Sequence, residues 1–156
     1  MFRLVYCDDE QNTRLGAWLA ERMRVASTAY WTAAIMRDDE LVGGVIYHSY
    51  RPPSLEMGVF CSDPRWILSR RGIMDALAYP FLQLKCQRIT ATVSDKNPRL
   101  QTLLELMGFE REGTIRYGEP DGSSVGLFGL LKRDLKWASL RHAQNTSGMT
   151  LSVATH

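Results

Sequence analysis

Apolar residues recur with two different periods along this chain, and the switches between them mark out its elements. Phe2 to Tyr6 alternates as a strand. Asp8 and Asp9 then precede a stripe of Leu15, Trp18, Leu19 and Met23 at helical spacing, with the acids at the end where a helix dipole favours negative charge. Alternation resumes from Tyr30 to Met36 and breaks at Arg37-Asp38-Asp39-Glu40, which predicts a hairpin turn into a buried strand, Leu41 to Tyr47. Tyr50-Arg51-Pro52-Pro53 predicts a loop, because two prolines do not fit a central strand, and Leu55 to Cys61 is the next strand. Ile73, Leu77, Phe81 and Leu84 predict a helix from about Arg70, with Pro80 kinking it or ending its regular part.

The second half of the chain repeats the alternation of periods. Arg88 to Val93 reads as a strand of period two. After the polar link Ser94-Asp95-Lys96-Asn97, Pro98 can open a helix, since its missing N–H is an orphan there anyway. Leu100, Leu103, Leu104 and Met107 carry that helix's stripe, and Gly108 ends it where a residue without Cβ can turn left-handed. Phe109 to Tyr117 and Val125 to Leu131 predict a strand pair joined at Glu119-Pro120-Asp121-Gly122. Lys132 to Arg141 reads as a last short helix, and His142 to His156, without an apolar stripe, as a disordered tail. Three consecutive strands between helices predict a mixed α/β sheet in one domain, residues 1–141, with the tail over 142–156.

Composition narrows the function classes. The chain has 156 residues, 45% hydrophobic and 23% charged, with a formal net charge of +2. That near-neutral balance gives no reason to expect a nucleic-acid partner. Cys7, Cys61 and Cys86 are odd in number and far apart, with no metal-ligand spacing, so no metal site is expected and free thiols in a reducing compartment are the plain reading. The N-terminus meets charge too early for a signal peptide, and no apolar run approaches the ~20 residues of a membrane helix. The expected location is the cytoplasm.

The Arg88–Gly113 segment carries the most specific pattern: a strand, Asn97 at the head of a short helix, and Gly108-Phe109-Glu110-Arg111-Glu112-Gly113 closing it. This resembles the cofactor-edge half of the GNAT-type N-acetyltransferases, in which an asparagine begins the penultimate helix and Gly-Phe follows. The resemblance covers about Phe2 to Trp137. With Glu105 in the helix and Glu56-Met57-Gly58-Val59 on the earlier strand, it is most similar to the ribosomal-protein alanine acetyltransferase branch. The string from Trp66 to Leu84 also resembles small acetyltransferase-like proteins of phages and prophages. The resemblance implies a mostly antiparallel sheet splayed at its centre, acetyl-CoA as co-substrate and a primary amine as acceptor.

Site residues follow from the same resemblance. Acetyl-CoA would lie along the strand edge at Val59, Phe60 and Cys61, where free backbone groups pair with pantetheine amides. Its pyrophosphate would sit on a loop at Arg65 to Arg71, involving Trp66, Ile67, Leu68, Ser69, Arg70 and Arg71, with Ser69 as the N-cap of the next helix. Trp66 is read either as a cover for the cofactor or as a filler between loop and core. Asn97 would bond backbone or cofactor amides where the strands part. The family's loop glycines are replaced here by Ile67 and Ser69, and its tyrosine acid by Leu104.

Glu56 is the candidate base, or else an ordinary solvent-facing or ion-paired glutamate; Tyr117 or Ser94 is the substitute acid, each more simply a strand-end or loop residue. His48 with Cys61 is a weaker nucleophile pair, more simply two structural residues. Substrate choice would fall to the first helix, the Tyr50–Pro53 loop and the Tyr117–Gly122 hairpin. The lack of acidic clusters weighs slightly against polyamine acceptors. The alternative is a non-catalytic binding or assembly module of the same fold. A nucleic-acid-modifying enzyme ranks third, and a homodimer is left open.

Overall fold

The computed structural model describes residues 1–27 and 29–135, the side chain of Arg70 excepted. Its elements are Phe2–Tyr6 (β1), Asp9–Met23 (α1), Tyr30–Arg37 (β2), Glu40–Arg51 (β3), Ser54–Cys61 (β4), Pro64–Ile67 (α2), Arg70–Ala78 (α3), Arg88–Ser94 (β5), Pro98–Leu106 (α4), Glu110–Ile115 (β6) and Val125–Leu131 (β7). The strands make one mixed sheet in the order β1-β2-β3-β4-β5-β7-β6, antiparallel throughout except for the β4–β5 pair. The α/β class and the expected order of elements are therefore observed, with α2 as an addition.

Side-chain alternation divides the sheet between two helical layers. Leu55 and Met57 of β4, with Ile89, Ala91 and Val93 of β5, join Ile73, Leu77, Phe81, Leu104 and Met107 in the main core. On the opposite face α1 packs over β2, β3 and β4. Asp8 caps α1 by accepting from the Gln11 N–H at 2.8 Å, while the Gln11 side chain accepts from the Asp8 N–H, a complete capping box. The helix can sit close because β4 offers no side chain at Gly58, where a Cβ would come within 2.4 Å of the Met23 methyl.

Pro80 does end the regular helix, and the backbone there follows a wider course than a kink. From Tyr79 to Gln83 the chain makes a π turn, with the Leu84 N–H reaching the Tyr79 carbonyl at 3.2 Å. The carbonyl of Ala76 stands four residues before Pro80, which has no N–H to give it. The fully buried Tyr47 hydroxyl donates to that carbonyl instead, at 2.7 Å. Tyr47→Phe is therefore expected to cost roughly 1–3 kcal/mol in urea unfolding, the price of an unsatisfied buried group. A change within the error of the measurement would mean that the carbonyl has another donor.

At Asn97 the side chain accepts from the Leu100 N–H at 3.3 Å, Pro98 opens α4 as expected, and Gly108 leaves it at a φ of 109°. A Cβ on Gly108 would also lie 2.6 Å from the Asp134 carbonyl oxygen. Two boundaries differ from expectation. Tyr50 and Arg51 belong to β3, and only Pro52-Pro53 turns, because the prolines occupy the two positions where no ladder N–H is needed. β6 ends at Ile115, so Tyr117 lies in the connection, at a left-handed φ of 54°. Lys132–Asp134 form a single 3₁₀ turn, while the rest of the expected last helix and the expected tail lie outside the described residues.

Candidate active site

The parallel contact between β4 and β5 is short, and its end creates the site. Ser54 pairs with Arg88, Leu55 with Ile89 and Glu56 with Thr90, after which the two strands are no longer paired. Along β4 the backbone from Met57 to Cys61 bonds β3 on one side and leaves its other edge facing the gap. The gap holds a cavity of about 370 Å³, within the usual size for a small-molecule site. Its walls come from both faces of the sheet. On the α3–α4 side they are apolar: Val59, Ile67, Ile73, Ala91, Val93 and Leu104. Towards α1 they are mixed: Arg24, Ser27, His48, Glu56, Thr90 and Thr92 stand among the apolar Met23, Val25 and Ala26. The cavity is thus a slot through the sheet, apolar towards α3 and α4 and holding its polar groups towards α1, and Glu56 stands where the two strands begin to part.

Glu56 owes its neighbour to a bulge. A hairpin folded evenly about Pro52-Pro53 would set His48 opposite Met57. Between the Arg51–Ser54 and His48–Glu56 pairs, however, β3 carries two residues and β4 one, and Ser49 takes a φ of 52°. The shift turns His48 onto the Glu56 face, with Nδ1 3.5 Å from Oε2 and 3.0 Å from the Ser49 Oγ. The His48 side chain is 12% exposed and that of Glu56 49%. Burial holds the imidazole below its ordinary value of 6.5 and the Glu56 charge only partly opposes this, so His48 is neutral at pH 7.

The other residues singled out from sequence fall into distinct places. Val59 and Ile67 line the slot. Phe60 points to the α1 face and meets Trp18 edge-on, ring centroids 5.3 Å apart. Cys61 lies opposite Gly43, at the far end of the β3–β4 ladder from His48, so the two do not meet; burial raises its thiol pKa. Ser69 caps α3, accepting from the Gly72 N–H at 3.2 Å, and Arg70 is the first residue of that helix. Where a loop was expected, Pro64 to Ile67 form one helical turn, capped by the Asp63 side chain and followed by Leu68. Asp63 also pairs with Arg65 at 2.7 Å and Arg37 at 2.9 Å, and these cations hold its carboxyl well below the usual carboxylate range.

Trp66 is 3% exposed and its indole lies against Gly72, so of its two readings it has the packing one. Arg71 lines a shallow pocket with Met1, Phe2 and Asp75, apart from the slot. Asn97 spends its oxygen on the α4 cap. Tyr117 is 77% exposed and does not line the slot; Ser94 lines an adjoining hollow. Leu104, at the family's tyrosine position, does line it. What sequence reasoning missed was the partnership of His48 with Glu56, whose only trace in the sequence is the hairpin spacing, and that spacing misleads by one residue.

The splayed strand pair decides the fold when set beside solved structures. Spermidine N-acetyltransferase from Vibrio cholerae, in complex with CoA and spermine, superposes with a TM-score of 0.66 at 17% identity, covering 85% of this chain and 96% of that one. This chain has the GNAT fold. A protein from T. thermophilus provisionally assigned as an acetyltransferase shares the GNAT architecture at a TM-score of 0.63 and 22% identity, over 80% of this chain and 70% of that one. No family model and no curated protein matches the sequence. Among the described residues there is no His, Cys, Asp and Glu cluster able to hold a metal ion, and no helix long and apolar enough to cross a membrane.

Proposed function

We propose that this protein is an acetyl-CoA-dependent N-acetyltransferase that acetylates a primary amine. The observation that carries the reading is the slot through the sheet, apolar towards α3 and α4, holding its polar groups towards α1, with one carboxylate at its neck. The pattern fits acetyl-CoA: the unpaired edge of Met57–Cys61 offers free backbone groups to pantetheine amides, and Ser69 opens α3, a helix start that favours an anion. Val59 and Ile67 would flank the pantetheine, and Arg70 is placed in the first turn of α3. The spermidine acetyltransferase neighbours support an amine as acceptor.

Acetyl-CoA supplies the activated acyl group. The chain's own residues hold the acceptor in the polar half and manage its proton. Glu56 takes a proton from the ammonium, directly or through water, leaving a neutral nitrogen to attack the thioester carbon. As the carbon–sulfur bond breaks, the second nitrogen-bound proton leaves and the thiolate is protonated. His48, its pKa lowered by burial, lies beside the Glu56 carboxylate at 3.5 Å. Tyr117 is exposed and does not line the slot, and Ser94 lines only the adjoining hollow, so we assign the proton of the leaving thiolate to water. Within the superfamily, the motifs around Glu56 and Gly108 support the ribosomal-protein alanine acetyltransferase branch, and protein N-termini are acceptors to test beside small amines.

Leu104 in the slot favours a second reading, a non-catalytic module that has lost its acid. Thermal shift with acetyl-CoA separates the two. Micromolar-scale binding, raising the melting temperature at millimolar ligand, is expected of the enzyme. No shift at millimolar acetyl-CoA would overturn it.

A further inference from the structure

We propose that the acceptor is an amine that also carries an anionic group, such as a carboxylate, within a few bonds of its nitrogen, and that a polyamine is disfavoured. The inference rests on the acetyltransferase reading and extends it to the acceptor's second functional group. The polar half of the slot opens past the end of α1 into an adjoining hollow of about 260 Å³, the two sharing Met23, Arg24 and Thr92 as walls. Two arginines line this hollow. Arg24 lines both cavities and donates to the Gly118 carbonyl at 2.6 Å, which ties the end of α1 to the β6–β7 connection. Arg22 also lines the hollow, with its guanidinium carbon 3.9 Å from the centroid of the Trp18 ring. Among the described residues neither arginine has a carboxylate partner at ion-pair distance.

The carboxylate in the hollow is already engaged. Glu119 pairs with Lys96 at 3.0 Å and accepts from the Ser123 hydroxyl at 3.3 Å. Two carbonyls of the last turn of α1 are taken as well: Ala20 accepts from the Val25 N–H at 2.9 Å and Glu21 from the Arg24 N–H at 3.4 Å. A second ammonium reaching this hollow meets two cations and few open acceptors. A carboxylate there meets two arginines that have no carboxylate partner among the described residues, and the planar guanidinium fork suits it. Glu56 at the neck then takes the amine end.

The test uses three acceptors of equal carbon count, butylamine, putrescine and γ-aminobutyrate, with acetyl-CoA and a thiol-release readout. For the unchanged protein, kcat/KM for γ-aminobutyrate is expected to exceed both others by roughly 10-fold or more. Arg24→Glu combined with Arg22→Gln should reverse the order in favour of putrescine. Because the quantity read is a ratio between acceptors, loss of folded protein lowers every rate and leaves it unchanged. Equal rates, or a preference for putrescine in the unchanged protein, would overturn the proposal while the acetyltransferase reading stands. If acetyl-CoA binds but none of the three is turned over, the same ordering is read from acceptor-induced thermal shifts, and equal shifts overturn it. Failure of acetyl-CoA itself to bind removes the reading beneath and this proposal with it.

Discussion

Glu56→Gln is expected to lower kcat for acetyl transfer roughly 100-fold or more while leaving acetyl-CoA binding within about twofold. The substitution keeps the shape and one hydrogen-bond acceptor and removes only the group that takes the proton. Glu56 is half exposed at the neck of the slot, and its neighbour His48 is neutral, so the change leaves no buried charge stranded. Its backbone pairing with Thr90 does not depend on the side chain. Steady-state rates and calorimetric acetyl-CoA affinity, measured on the same preparation, check the expectation. A rate within about threefold of the parent would place the proton elsewhere, and a parallel loss of affinity would make Glu56 a structural residue.

The second large effect concerns stability. Phe81→Ala should cost roughly 3–5 kcal/mol and lower the thermal midpoint on the order of 10 °C. Phe81 is fully buried in the π turn after Pro80, where the helix has already given up its regular bonding. Its ring is therefore the main anchor of that segment in the core, and truncation leaves a cavity that the sheet behind it cannot close. Leu106→Ala, on the exposed face of α4, serves as the control and should change stability by no more than about 0.5 kcal/mol. Urea unfolding of both variants decides it, and a similar small change in the two would show that the π turn, not the ring, sets the packing.

Most of the scaffold was legible in the sequence because its signals are local. Asn97-Pro98 and Gly108 mark the ends of α4, and Pro80 marks the end of α3, each by a hydrogen-bonding or steric property of one residue. The Glu-Gly of the closing motif also has a local cause: Glu112 is the bulged residue of β6, reaching across Gly129 of β7 to a bidentate pair with Arg88 of β5. The site was less legible, since its members meet through register. Nothing in the order of residues says that β3 carries an extra residue at Ser49, and without that shift His48 would face away from Glu56. The helical turn at Pro64–Ile67 has a local signal of the same kind as Asn97-Pro98, Asp63 as N-cap before Pro64, and its four residues are too few to show an apolar stripe.

The slot that crosses the sheet has a consequence for kinetic order. On the acetyltransferase reading, thioester and amine would enter from opposite faces, and neither would have to leave for the other to bind. Both substrates would then occupy the protein together, and the acyl group would pass between them in one encounter. The thiol of Cys61 lies on the strand beyond the walls of the slot, so no nucleophile waits there to hold the acyl group between two half-reactions. Initial-rate plots against either substrate should form intersecting lines, and exchange of label between acetyl-CoA and CoA should require the amine.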